Sequence, residues 1–131
     1  MNDSHTTDDV LKLPRGAFIA FRQSGGLRFS TREVIVYHSG RVSWRRQGKL
    51  GADEGSRHIA PAQVADLKQL ITQSGLFGLP QPIGRPSPDG YAYELIARAG
   101  RQSRSIEFFD GSLPPEVQPL LKQLKALAAE E

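Results

Sequence analysis

Two pairs of short runs, each folded about a single glycine, decide most of what this chain can become. "REVIVYH" and "RVSWRR" flank His38-Ser39-Gly40, and "YAYELIAR" and "QSRSIEFF" flank Ala99-Gly100-Arg101. Apolar residues recur at about every second position, the period of a strand with one packed face and one wet face. On "RVSWRR", Val42 and Trp44 fall on one face while Arg41, Ser43 and Arg45 fall on the other. Gly40 can take the positive φ that a short hairpin needs. Strands joined by tight hairpins are antiparallel, so these runs impose a mostly antiparallel sheet.

The remaining pieces attach to that frame. "RGAFIAFRQ", from Arg15 to Gln23, is rich in apolar and aromatic residues and ends at Gly25-Gly26, which predicts a further strand. "QGKLGADEGS" reads as a loop and "RHIA" as a short strand after it. Pro61 suits a first helical turn, and Val64, Leu67, Leu70 and Ile71 follow at spacings of three and four through Ser74. Gly75 is the expected C-terminal cap, with Leu76 or Phe77 folding back on the helix end. "GLPQPIGRPSPDG" holds four prolines and three glycines and reads as an irregular loop. Val117, Leu120, Leu121, Leu124 and Leu127 make the apolar stripe of a last helix, which should begin close to Pro119 after a loose turn from Pro115 to Gln118. The order ββββ-α-ββ-α predicts an α+β fold: about six strands in a mostly antiparallel sheet, with both helices on one face.

The chain's 131 residues suit one domain with a real core. Residues 1–12 are expected to be a flexible tail and residues 13–131 the domain, because the first nine residues carry no apolar side chain after Met1. The absence of cysteine excludes disulfides, Cys-based zinc sites and thiol nucleophiles. No basic-then-apolar leader opens the sequence and no run is long enough to span a bilayer, so a cytoplasmic protein with no membrane partner is expected.

Chemistry is sparse. His5, His38 and His58 form no metal-binding pair, and no nucleophile elbow occurs, so neither a catalytic residue nor a metal or cofactor is assigned. Glu94 and Glu107 sit on neighbouring strands and could face one another as an acid/base pair, though pairing with Arg98 or Arg104 is the more ordinary arrangement. "SGGLRFS" lacks the spacing of a phosphate loop and runs into a strand instead of a helix. Charge is uneven: from Lys12 to Arg57 ten Lys/Arg face three acids, a local balance of +7 that suggests an acidic partner. Arg41, Trp44, Arg45 and Arg46 form an alternative basic patch for nucleic acid or an acidic protein surface.

The order of four segments carries a resemblance. "FRQSGGLRFS", "LKQLITQSGLFGLP", "SPDGYAYELIA" and "IEFFDGSLPPEVQPLLKQLKAL" together resemble the emfourin family, small bacterial protein inhibitors of thermolysin-like (M4) metalloproteases, over roughly residues 17–127. The chain departs from the usual members after its two glycines, where they carry phenylalanine and small residues and it has Leu27-Arg28-Phe29-Ser30. The resemblance implies a protease inhibitor whose protease-binding residues are Gly25, Gly26, Leu27, Arg28, Phe29, Asp89 and Tyr91; a monomer is expected, and, because no catalytic constellation converges, not an enzyme. Leu27 or Phe29 would fill the apolar pocket just beyond the scissile bond, and Asp89-Gly90-Tyr91 would brace the loop. Arg22, Arg28 and Arg32 would supply electrostatic complementarity.

Overall fold

A computed structural model describes residues 11–25, 30–48, 51–78, 90–109 and 114–129. Six strands form a single antiparallel sheet: β1 (Ala17–Gly25), β2 (Ser30–Tyr37), β3 (Arg41–Gly48), β4 (Gly51–His58), β5 (Tyr91–Ala99) and β6 (Gln102–Phe109). Helix α1 (Pro61–Gln73) and a short 3-10 turn (Leu76–Gly78) precede β5, and α2 (Gln118–Ala129) follows β6. The expected order ββββ-α-ββ-α is therefore the observed one. Across the sheet the strands run β4-β3-β2-β1-β5-β6, so the returning hairpin docks on the free edge of β1 and makes β1 an interior strand.

Register sorts the side chains onto two faces. Ile19, Phe21, Val34, Val36, Val42, Trp44, Tyr93, Leu95, Ala97, Ile106 and Phe108 share the helix side and are buried. A register shift between Ala17 and Ile19 lets Phe18 join them, with the Lys68 ammonium of α1 lying 5.2 Å from its ring. Val64, Leu67 and Ile71 of α1 and Leu120, Leu121, Leu124 and Leu127 of α2 close this core. The stripes read from the sequence face the core, with Leu70 half-buried against it.

The helix ends follow from local chemistry. The Ala60 N–H donates to the Gln63 side chain at 3.0 Å, and Pro61 opens α1 where no N–H is needed. Gly75 takes φ +67, and buried Ser74 donates to Ile71 O at 2.7 Å while accepting from the Leu76 N–H at 3.2 Å. Leu76 folds back into the core, fully buried. Ahead of α2, Val117 N donates to Pro114 O and Gln118 N to Pro115 O, the loose turn that Pro119 requires. Leu11, within the stretch expected as tail, is buried; residues 1–10 lie outside the described residues.

One element corrects the sequence reading. Within the expected loop and short strand of residues 47–60, Gly51–His58 is the eight-residue strand β4, paired along its length with β3. Its polarity is that of an edge strand held by charge and by a flat contact instead of an apolar face. Asp53 accepts from Arg46 at 2.9 Å, Glu54 lies 4.0 Å from Arg45, and Gly55 lies under the Trp44 indole. Arg57 fastens the strand to the end of α2, its guanidinium donating to the Leu127 carbonyl at 2.7 Å. Charged edge strands also resist pairing with other chains.

Candidate functional site

The ends of five strands meet in one row at one pole of the sheet. Gly25 of β1 is opposite Ser30 of β2 on one side and Tyr91 of β5 on the other, while Thr31 is opposite Gln47 and Gly48 opposite Gly51. In sequence, residues 26–29 lie between β1 and β2, residues 49–50 between β3 and β4, and residues 79–89 between the 3-10 turn and β5. Of the expected protease-binding residues, Gly26, Leu27, Arg28, Phe29 and Asp89 lie outside the described residues. Gly25 and Tyr91 are described, and the register makes them direct neighbours.

Gly25 is where the backbone demands glycine. Its φ is +103, and a Cβ there would lie 2.8 Å from the Gly90 carbonyl oxygen, closer than van der Waals contact allows. The absence of a side chain thus lets the start of β5 press against the last residue of β1. Gly90 itself carried no sequence signal of this role beyond its turn-like "PDG" setting; the register supplies it.

Tyr91 is half-buried and belongs to an aromatic row that runs down the helix side. Its ring centroid lies 6.3 Å from that of Tyr93, which stacks on Phe21 at 6.1 Å, and the Lys125 ammonium of α2 sits 4.7 Å from the Tyr93 ring. A half-buried tyrosine resting on another aromatic offers rigid contact area at little entropic cost.

The alternative basic patch does not gather on one surface. Arg41 and Arg45 project from the open face of β3, whereas Trp44 and Arg46 project to the helix side. Trp44 is 9 % exposed, wedged between Gly55 and the Arg46 guanidinium, whose carbon lies 4.9 Å from the ring centroid. No stacking platform for bases is left at that position.

Arg22 is likewise on the open face, where its Nε donates to Glu94 Oε1 at 2.7 Å, leaving the Arg22 side chain 15 % exposed. Glu94 does stand opposite Glu107. Its ion-pair partner is Arg22 instead of Arg98 or Arg104, and Arg104 donates to the Phe77 carbonyl at 2.8 Å. At the other pole, His38 is exposed as a residue but leans its ring on Phe18 at 5.4 Å. That partial loss of water, then repulsion from Lys68 and Arg98, holds its pKa below the ordinary histidine value.

Among the described residues there is no group of three or more His, Asp or Glu able to hold a metal, and no helix long and apolar enough to cross a membrane. The sequence model of the Emfourin family matches residues 55–125, more than half of the chain, from the middle of β4 into α2. No curated protein matches the chain. The family points to a protease-inhibitor role and a protease partner. Through this match over β4, α1, β5, β6 and α2, the chain belongs to the emfourin family.

Proposed function

We propose that the protein inhibits a thermolysin-like metalloprotease by presenting the segment from Gly25 to Phe29 to the protease cleft. The observation that carries this reading is the doubly paired end of β1. Gly25 is flanked by Ser30 and by Tyr91, so the base of the segment is held from both sides. Ordering a loop on binding costs about 0.5–1.5 kcal/mol per immobilised side chain, and a base already fixed removes part of that cost. Leu27 and Phe29 are the apolar side chains available to fill a pocket beyond the scissile bond. Any zinc in the complex belongs to the protease.

The test is hydrolysis of a peptide substrate by thermolysin-like proteases, titrated with the protein and with a Leu27→Asp/Phe29→Asp double variant. Stoichiometric inhibition that the variant loses supports the reading. Undiminished inhibition by the variant refutes the role of the loop, and no inhibition by the intact, uncleaved protein refutes the function.

A further inference from the structure

At the level just below the proposed binding pole, the two faces of the sheet carry opposite charge. On the open face one row crosses all six strands as Glu54, Arg45, Glu33, Arg22, Glu94 and Glu107, each residue opposite the next. Four acids against two arginines leave this row at −2, and its arginines are each flanked by acids, with Arg22 and Glu94 in contact at 2.7 Å. The neighbouring row on the helix side reads Asp53, Arg46, Arg32, Gln23, Tyr93 and Phe108. With Lys125 over Tyr93 and Lys122 one turn earlier on α2, that side reaches +3.

On the helix side one sheet cation, Arg32, has no acid opposite it. Arg32 stands directly opposite Arg46, and like charges in a cross-strand pair repel. Arg46 has Asp53 at 2.9 Å, but Arg32 is exposed and forms no ion pair among the described residues. Lys122 is exposed as well, and with Lys125 it borders an open groove lined by Pro115, Gln118, Pro119 and Leu121, with no acid among the described residues that line it. Arg32 lies two residues from Ser30, about 7 Å along the strand. A protein seated on the pole and leaning toward the helices would meet these cations at once. One leaning the other way would meet the acid-rich ladder.

We infer that the helix side of the pole, through Arg32, Lys122 and Lys125, is the surface that steers an acidic patch of the protease into place and so fixes the tilt at which the inhibitor docks. This rests on the proposed inhibitory function and goes beyond it by assigning the partner's charge and the side it occupies. An acidic partner supplies Arg32 with the carboxylate that Asp53 supplies to Arg46. Long-range attraction of this kind acts on the association rate, by 10-fold to 1,000-fold in steered complexes, and disappears as salt screens it.

The experiment measures association and dissociation rates for an inhibited thermolysin-like protease, with the intact protein and an Arg32→Glu/Lys122→Glu variant, from about 0.01 M to about 1 M salt. Over that range the screening length falls from about 30 Å to about 3 Å. The expected result is association slowed about tenfold or more at low salt, with the difference gone at high salt and dissociation little changed. Arg32→Glu alone should keep or raise the melting temperature, because it places a carboxylate opposite Arg46. Glu107→Gln, on the open face, should not slow association. Equal rates and equal salt slopes for intact protein and variant overturn the inference while leaving inhibition standing. Failure of the intact protein to inhibit overturns both. Salt-sensitive binding of single-stranded oligothymidylate that the double variant loses, without effect on protease association, assigns the surface to nucleic acid and also overturns it.

Discussion

Replacing Gly55 by valine sets strand propensity against packing, and the two predict opposite signs. Glycine in the middle of a strand is unfavourable, and a β-branched residue there should add about 1 kcal/mol on propensity alone. A Cβ at Gly55, however, would lie 2.6 Å from Trp44 Cζ2 and 3.0 Å from Cε2, so the indole must leave its seat. A buried tryptophan hides about 200 Å², and uncovering half of it costs about 2.5 kcal/mol at 25 cal/mol per Å². Loss of the Arg46 contact over the ring adds about 0.5–1 kcal/mol. The net expectation is destabilisation by about 2 kcal/mol, or a fall of roughly 6 °C in melting temperature. Trp44 is the chain's single tryptophan, so its emission reports this site alone. Urea unfolding followed by circular dichroism should show the lower midpoint, and the native-state emission should shift to the red. A Gly55→Val protein as stable as the parent, with unchanged emission, refutes the account of why β4 holds.

Three further outcomes are expected. Gly25→Ala must relieve a 2.8 Å contact with Gly90 O at a φ of +103, which should cost about 1–3 kcal/mol of stability and weaken inhibition more than it weakens the fold; inhibition constants and melting curves on the same samples separate the two. Glu94→Gln removes the carboxylate from Arg22 and should destabilise by about 1 kcal/mol, read by denaturant titration, with Glu33 on the neighbouring strand softening the loss. Because the folded state lowers the His38 pKa below its unfolded value of about 6.5, the folded protein binds fewer protons than the unfolded chain in that window. Stability is therefore full above about pH 6.5 and falls as the pH drops below it, and His38→Gln should flatten that part of a melting-temperature profile.

The hairpins and helices were legible in the sequence because their information is local. Val34 and Val36 alternate with polar neighbours, Val64, Leu67 and Ile71 mark one helical face, and Gly40 and Gly75 punctuate. β4 was not, because what stabilises "GADEGSRH" is on other elements: Arg45 and Arg46 for its acids, Trp44 for its glycine, and the α2 terminus for Arg57. The doubled inward pair Phe18 and Ile19 also breaks simple alternation, since a bulge is a property of two strands together. For the candidate site, the glycines and the "PDGY" stretch could be singled out, but not that Gly25 and Tyr91 would be neighbours. That depends on β5 choosing the edge of β1, a pairing between segments more than sixty residues apart. The same dependence hid the split of the basic residues. Alternation separates Arg45 from Trp44, but only the full register shows acids beside one set of cations and like charge beside the other.

The interior position of β1 also has a consequence in time. On a translating ribosome, β1 and its meander partners emerge well before Tyr91–Ala99, and at about 5–20 residues per second the gap lasts on the order of several seconds. During that interval one edge of a strand containing Phe18, Ile19 and Phe21 has no hydrogen-bonding neighbour, and the base of the 25–29 segment is held from one side only. A nascent chain is thus exposed to misassembly along that edge while still poorly equipped to engage a protease. Slow codons or a chaperone acting between α1 and β5 would therefore bear on yield at this step.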